Sequence, residues 1–446
     1  MIINEKKYAY NDLTIVPAIV SNISSRSECN PYIEDTNTLP IFTAPMASVV
    51  NESNLEQFYN NGIIPVLPRN IDLSIRKTNM INGVWVALSL REFEDIFINN
   101  ASQLYAGSQY QYNIIVDIAN GHMKSLYEKC IRAKYLSIAN GYKLTIMTGN
   151  IANPQTYKYI CTKVRYLNDE IHEYLPAIDY IRVGIGGGCG CITSSNVSTH
   201  YPQASLIDEC KKIKTQLDNE MDRITSYESE KTYKVLPKIV ADGGIRNYDH
   251  VIKALALGAD YVMIGSLFAQ CIESSGIKYN KEINSKCGLR LPIERYCNFR
   301  YDDNGNWWGN YTNEFITNNL ESWKKELDEV ETRVGNMHSE YFEALHKFND
   351  RKDDLTKEKF IGHIDVKFFG MASADGQKSI SGEKTKTAEG ITKYLPVKYI
   401  LKGWVENMCS YLRSAMSYTN CKTLKEFIGK PTLVVNSISE IQVVNK

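Results

Sequence analysis

The sequence predicts a (β/α)8 barrel, because eight short apolar runs alternate with segments long enough to form helices. Most of these runs are almost continuously apolar, as is typical of parallel strands covered on both faces. Doubly wound sheets show the same alternation, but Gly-Gly ends the seventh run and Gly-Ser lies within the eighth, at positions where barrels often bind phosphate. We place the strands at residues 39–46, 62–67, 83–90, 112–119, 143–150, 180–186, 238–243 and 261–268.

Helical segments fill the intervals between these runs. The clearest are residues 52–61, 123–139, 154–164, 205–217 and 249–257.

Two stretches exceed what a barrel needs. Residues 218–233 are polar and charged, and they predict an extension of one helix away from the barrel. Residues 277–360 hold an aromatic patch and a charged helical stretch, and their position after strand eight places them near the barrel mouth. They could form a lid, an oligomer contact or a decoration. We therefore divide the chain into barrel strands with an N-terminal segment (1–276), an insertion at the barrel mouth (277–360), and a flap-like segment with C-terminal helices that complete the barrel domain (361–446).

Composition narrows the classes of function. The 446 residues have a formal net charge of zero and no basic stripe, which argues against a nucleic-acid partner. No apolar run approaches the roughly 18 residues of a membrane span, and the N-terminus lacks a signal-peptide pattern. The eleven cysteines lack paired spacing, as expected of reduced thiols in the cytoplasm, and no zinc motif is apparent.

The most informative motif is the loop after strand six, which contains five glycines and two cysteines between residues 184 and 191. Glycines let backbone amides and carbonyls approach a phosphate or a cation closely. A cysteine at the end of such a loop lies where amides or a cation favour its thiolate. The alternative is a glycine-rich turn with ordinary buried thiols.

The ends of strands seven and eight support the first interpretation. Asp242-Gly243-Gly244 ends strand seven and Gly265-Ser266 interrupts strand eight. Two neighbouring strand ends with glycine amides are typical of the phosphate site of (β/α)8 barrels. Asp242 is placed to accept hydrogen bonds from ribose hydroxyls, although a lone Asp-Gly often only caps a turn.

Taken in order, these motifs resemble the IMP dehydrogenase and GMP reductase family, whose loop reads roughly G-I-G-P-G-S-x-C-T-T and is followed by A-D-G-G-I and M-x-G-S. The resemblance assigns the nucleophilic cysteine to Cys191 and the catalytic threonine to Thr193. It assigns a catalytic glutamate, just beyond strand eight, to Glu273. A Thr–Glu pair can deliver the proton that a departing amine needs.

The resemblance also implies binding residues and ligands: a purine mononucleotide as substrate, NADPH as cofactor, a potassium ion, and a homo-oligomer that is typically a tetramer. The nucleotide would lie on Asp242, Gly243, Gly244, Gly265, Ser266, Gly370, Met371, Ala372, Glu389 and Gly390. The cofactor would lie on Asp117, Ile118, Ala119 and Arg69, with Ser25 and Arg26 from a neighbouring subunit. Potassium would lie on carbonyls of Gly186, Gly188 and Cys191.

Flanking segments favour the reductase branch. Residues 25–28 and 117–121 resemble the reductase S-R-S-E and D-x-A-N-G segments, and 368–373 resembles F-Y-G-M-S-S. Between Met371 and Glu389 there is no arginine, whereas dehydrogenases carry an Arg-Tyr pair there that activates water. The resemblance therefore implies NADPH-dependent reductive deamination of GMP to IMP and ammonia through a covalent cysteine adduct. IMP dehydrogenase with NAD, a catalytically idle nucleotide-binding regulator and a flavin-dependent barrel oxidoreductase remain alternatives.

Several positions depart from the family pattern. Pro-Gly-Ser is replaced by Gly187-Gly188-Cys189, so a thiol stands where a phosphate-binding hydroxyl is expected. Met-Asp-Thr after strand one is replaced by Met46-Ala47-Ser48, and His-Lys after strand two by Pro68-Arg69. These changes leave the nucleophile in place, and they leave open a modified or deoxy purine nucleotide as the substrate.

Overall fold

The structure, a computed structural model, shows an eight-stranded parallel sheet with flanking helices, which confirms the predicted fold class. It describes residues 4–107, 109–168, 173–224, 235–280, 298–310, 324–325, 327–335, 339–340, 342–346, 359–383 and 387–436.

The barrel strands lie where the apolar runs predict them. They are β1 (Ile41–Thr43), β2 (Val66–Leu67), β3 (Trp85–Leu88), β4 (Gln111–Asp117), β5 (Lys143–Ile151), β6 (Tyr180–Val183), β7 (Lys238–Asp242) and β8 (Tyr261–Ile264). Successive strands pair in parallel from β2 to β8, and β8 pairs with β1. A parallel bridge between Phe42 and Ile64 closes the ring, with the Thr43 N–H donating to the Ile64 carbonyl at 2.9 Å.

Helices alternate with these strands around the barrel. They are α1 (Leu55–Asn60), α2 (Leu73–Ile81), α3 (Leu90–Glu94), α4 (Lys124–Ala139), α5 (Pro154–Lys163), α6 (Gln203–Ile224), α7 (Tyr248–Ala256) and α8 (Leu401–Tyr418). The start of α5 shows how the sequence fixes a boundary: the Asn153 side chain accepts from the Gln155 N–H at 2.9 Å, and Pro154 takes the first helical position. No helix in the described ranges combines the length and apolar character needed to cross a membrane.

The core has two layers. Inside the barrel, side chains from alternate strand positions pack together, and an aromatic cluster that includes Phe42, Trp85 and Tyr180 fills the end opposite the strand C-termini. Outside the barrel, a larger cluster lies between strands and helices. Helix α8 joins that layer through Trp404, whose ring lies 4.9 Å from that of Phe268, centroid to centroid. The barrel is thus a packed scaffold that holds its loop ends rigidly.

Residues beyond β8 form two three-stranded antiparallel sheets. One contains β9 (Lys278–Asn280), β13 (Ile364–Phe369) and β14 (Thr392–Pro396), and the other contains β10 (Asn298–Tyr301), β11 (Trp307–Asn310) and β12 (Lys359–Gly362). Separately, the strand Leu433–Val435 pairs antiparallel with Leu13–Ile15. Strand β12 crosses the predicted boundary between residues 360 and 361, and the division into 1–276, 277–360 and 361–446 stays a prediction. Of the extension predicted at residues 218–233, residues 218–224 continue α6, and the remainder lies outside the described residues.

Candidate active site

A cavity of about 270 Å³ opens at the C-terminal ends of the barrel strands. Its walls come from the loops after β1, β4, β6, β7 and β8 and from residues 368–383 and 387–391, here called the covering segment. This is the end of the barrel at which (β/α)8 enzymes bind their substrates. Most of the predicted site residues line it, namely Asp117, Ile118, Ala119, Gly186, Gly188, Cys191, Thr193, Asp242, Gly243, Gly244, Gly265, Ser266, Gly370, Met371, Ala372, Glu389 and Gly390.

A chain of three polar side chains runs along one wall of the cavity. The Cys191 thiol donates to Oγ1 of Thr193 at 3.3 Å, and that hydroxyl donates to Oε2 of Glu389 at 3.3 Å. Cys189 also lines the cavity, two residues earlier in the same loop. A thiol, a hydroxyl and a carboxylate in this order connect a nucleophile to a group that can hold and return its proton.

The structure does not bring Glu273 to this cavity, so the predicted Thr193–Glu273 pair is not formed. Both carboxylate oxygens of Glu273 accept from the Leu401 N–H, at 3.1 and 3.0 Å, and burial raises the pKa of this carboxyl. The N–H groups of a first helical turn have no acceptor within their own helix. Glu273 therefore supplies an acceptor at the start of α8, and Thr193 contacts Glu389 instead.

Backbone contacts join the covering segment to the cysteine loop. The Ile391 N–H donates to the Gly190 carbonyl at 2.9 Å, and the Ile192 N–H donates to the Glu389 carbonyl at 3.1 Å. Glycine is required at this crossing, because a Cβ on Gly390 would lie 2.9 Å from the Gly190 carbonyl oxygen. The crossing places Glu389 beside Thr193.

The predicted phosphate site lies in the same cavity, at the ends of β7 and β8. Gly243 and Gly244 have φ values of 99° and 76°, a backbone conformation that favours glycine. Gly187, from the cysteine loop, lies against them: a Cβ there would be 3.3 Å from the Gly244 nitrogen. Gly265 and Ser266 follow β8 and line the same cavity. Two loops and a strand end thus present backbone to one region of the cavity.

Asp242, the predicted ribose acceptor, is fixed by two neighbours. Its Oδ2 accepts from Nδ2 of Asn150 at 2.8 Å and from Nε of Arg182 at 2.9 Å. Among the residues that the structure describes, both of these bonds fall on Oδ2, so Oδ1 retains its acceptor capacity. The Asp242 carboxylate is therefore held in one orientation and can still accept a further hydrogen bond.

Arg182 and Asn150 are site residues that the sequence reasoning missed. Arg182 lies on β6, where it is 8% exposed, and it also donates to Oδ1 of Asp117 at 2.9 Å. Burial alone would lower the pKa of Arg182, but the Asp242 and Asp117 carboxylates raise it above its ordinary value. The sequence contains a signal for Arg182, because an arginine within an apolar strand is rarely buried unless it is paired with an acidic side chain.

The predicted cofactor residues divide into two groups. Asp117, Ile118 and Ala119 line the cavity after β4, and the Arg69 guanidinium lies beside them, donating to the Asp117 carbonyl at 3.2 Å. Ser25 and Arg26 do not line this cavity; the Arg26 guanidinium donates to Oγ of Ser414 on α8 at 3.3 Å. Their assignment to a neighbouring subunit stays a prediction.

Two of the three carbonyls predicted to bind potassium already accept hydrogen bonds within the loop. The Gly186 carbonyl accepts from Oγ of Ser194 at 3.1 Å, and the Gly188 carbonyl accepts from the Cys191 N–H at 3.1 Å. A carbonyl oxygen has a second lone pair, so these bonds do not use up its capacity. In the described part of the chain, no cluster of His, Cys, Asp and Glu side chains is arranged to hold a metal ion.

Comparison with known proteins gives a consistent set of matches. A family model described as IMP dehydrogenase / GMP reductase domain matches residues 110–287. GMP reductase of Mesoplasma florum is 27% identical over 280 residues, covering 60% of this chain and 74% of the relative. GMP reductase of Helicobacter pylori is 28% identical over 282 residues (61% and 73%), and that of Staphylococcus epidermidis is 29% identical over 280 residues (61% and 74%).

Proposed function

Because this chain belongs to the IMP dehydrogenase and GMP reductase family, as its motifs predicted, we propose that it is a GMP reductase, converting GMP to IMP and ammonia with NADPH. The coarser statement, a purine nucleotide oxidoreductase, rests on the family itself. The finer proposal rests on one observation, the hydrogen-bonded series of side chains from Cys191 through Thr193 to Glu389.

This hydrogen-bonded series explains how the exocyclic amine of GMP could leave. Sγ of Cys191 bonds to C2 of the guanine, and the thiol proton passes through the Thr193 hydroxyl to Glu389. The same proton returns through Thr193 to the exocyclic nitrogen, the C2–N bond breaks, and ammonia departs. A bound nicotinamide supplies a hydride at C2. Breaking of the S–C2 bond then releases IMP and the Cys191 thiolate, which takes up one proton from solvent to restore the thiol.

Residues beside Asp117 fit a nicotinamide cofactor. Nε of Arg69 is buried and lacks a hydrogen-bond partner among the described residues. A buried guanidinium N–H without an acceptor is costly, so an anionic or polar ligand group at this position would offset that cost. Arg69 would hold such a group, and Asp117, Ile118 and Ala119 would line its path toward Cys191. Ser25 and Arg26 of a neighbouring subunit would complete the site in the proposed tetramer, which we place in the cytoplasm.

Replacing Asp242 by alanine is expected to weaken nucleotide binding by about 1.5–3 kcal/mol, the cost of losing a charge-assisted hydrogen bond. Calorimetric titration with GMP and with IMP measures this. Asp249→Ala is the matched control, because Asp249 pairs with Lys253 on α7 outside the cavity. Unchanged affinity for both nucleotides in Asp242→Ala would remove Asp242 from the site.

A preference for NADPH over NADH requires a cation at the 2′-phosphate. We expect Arg26→Ala and Arg69→Ala to raise the KM for NADPH more than the KM for NADH. Initial rates with both cofactors at saturating GMP measure the two constants. Equal losses with NADPH and NADH in both variants would show that neither arginine reads the 2′-phosphate.

A potassium ion on the carbonyls of Gly186, Gly188 and Cys191 would rigidify the cysteine loop. We therefore expect activity to fall when potassium is exchanged for a large organic cation at constant ionic strength. If activity does not change when potassium is exchanged, hydrogen bonds alone hold the cysteine loop.

One assay in two directions tests the proposed function. Loss of NADPH absorbance with GMP is the expected result. NADH formation from IMP would identify an IMP dehydrogenase instead, and nucleotide binding without turnover in either direction would identify a regulator. A yellow purified protein would indicate a bound flavin.

A further inference from the structure

One buried arginine joins two carboxylates from different strands of the barrel, Asp117 of β4 and Asp242 of β7. Nη1 of Arg182 donates to Oδ1 of Asp117 at 2.9 Å, while its Nε and Nη2 lie 2.9 and 2.8 Å from Oδ2 of Asp242. The side chain of Arg182 is 9% exposed. A single planar guanidinium therefore fixes the proposed ribose acceptor and the proposed cofactor-side carboxylate together.

The surrounding groups make this a balanced network. Nη1 of Arg69 lies 3.9 Å from Oδ2 of Asp117, so two guanidinium groups face two carboxylates. Asn150 anchors the far end, donating from Nδ2 to Asp242 and to the Gly184 carbonyl at 2.8 and 2.7 Å. Removing the central cation would leave two partly buried like charges without their shared partner, which is costly. The geometry of either carboxylate thus depends on Arg182.

We propose that Arg182 is a positioning residue that couples nucleotide binding at Asp242 to cofactor binding at Asp117, an inference that rests on the proposed function. A ligand that hydrogen-bonds one carboxylate restricts its remaining motion, and the shared guanidinium restricts that of the other. The second ligand then loses less conformational freedom on binding, which gives positive coupling without a change of fold. Coupling of this kind is reciprocal: each ligand tightens the other by the same factor.

The coupling is measured in a Cys191→Ala background, which stops the covalent step and leaves only binding. Calorimetric titration gives the Kd of GMP with and without saturating NADP⁺, and the Kd of NADP⁺ with and without GMP. We expect each ligand to tighten the other by about fivefold or more, the usual range for coupled sites. Adding Arg182→Lys should bring both ratios close to one, because a lysine ammonium keeps the charge but lacks the planar fork that spans two carboxylates.

Arg165→Lys in the same background is the matched control. Arg165 is similarly buried, at 7% exposure, but it donates to the backbone carbonyl of Cys161 outside the cavity. We expect this variant to keep the parental ratios. Thermal melts of all three proteins compare their folding.

The outcomes separate this inference from the proposed function. Parental ratios in Arg182→Lys, or equal losses in Arg182→Lys and Arg165→Lys, would overturn the inference. A parent that binds both ligands without coupling would also overturn it while leaving the proposed function intact. A parent that binds neither ligand would overturn both.

Discussion

Replacing Cys191 by alanine is expected to abolish turnover of GMP, because the variant has no thiolate to bond to C2. The residue ends the glycine loop, lines the cavity and donates to Thr193 at 3.3 Å. Covalent catalysis depends on one nucleophile, so no partial route is expected to remain. The measurement is NADPH consumption at saturating GMP, with nucleotide binding checked separately to show that the cavity is intact.

Cys189→Ser is the matched control, since Cys189 lines the same cavity two residues away. Serine restores the hydroxyl that the family pattern carries at this position, so substantial activity should remain. If Cys189→Ser is inactive and Cys191→Ala retains turnover, the register of the loop has been assigned wrongly.

Glu389→Gln is expected to lower GMP turnover by a factor of about 10²–10⁴, the contribution usual for a positioned acid–base group. Glutamine preserves the shape and the hydrogen bond to Thr193 but cannot accept and return a proton. Expelling ammonia needs that proton, whereas hydride transfer does not. Given IMP, the variant should therefore still reduce NADP⁺, at a rate limited by loss of the Cys191 thiol proton to solvent instead of to Glu389, and single-turnover measurements in both directions separate the two steps.

Glu273→Gln is the comparison that decides between the two glutamates. Glu273 accepts from the Leu401 N–H at the start of α8, outside the cavity, and glutamine keeps an oxygen for that bond, so this replacement should leave turnover near the parental rate. The reverse pattern, a slow Glu273→Gln and a normal Glu389→Gln, would return the proton-donor role to Glu273, as the motif resemblance predicted.

The barrel could be predicted from the sequence because its strands are buried on both faces and read as apolar runs. Predicted ends were less accurate: the run at 261–268 continues through Leu267 and Phe268, which are buried in a short helix after β8 ends at Ile264. Apolar character reports burial and not hydrogen bonding to a neighbouring strand. In the sequence, buried residues that follow the end of a strand therefore look like a continuation of that strand.

Side-chain partners were harder to predict than backbone positions. Glu273 follows strand eight closely in the sequence, yet its carboxylate turns toward α8, while Glu389 reaches Thr193 from a distant segment. The role of Arg182 likewise depends on two aspartates from β4 and β7 converging on it. Such contacts are set by the packing of separate elements, and no local pattern records them.

The crossing between the covering segment and the cysteine loop has a consequence for how the site assembles. The Gly190 carbonyl and the Ile391 N–H, which are 2.9 Å apart, are separated in the sequence by β7, β8 and strands β9 to β13. Contacts of such long sequence separation pay a large loop-closure cost and depend on the elements between them. The amides of Ile192 and Ile391 should therefore exchange with deuterium as one cooperative unit, distinct from the strand amides of the barrel. Opening that unit would separate Glu389 from Thr193 while leaving the glycines of β7 and β8 in place, so a molecule in this state would hold a nucleotide without transforming it.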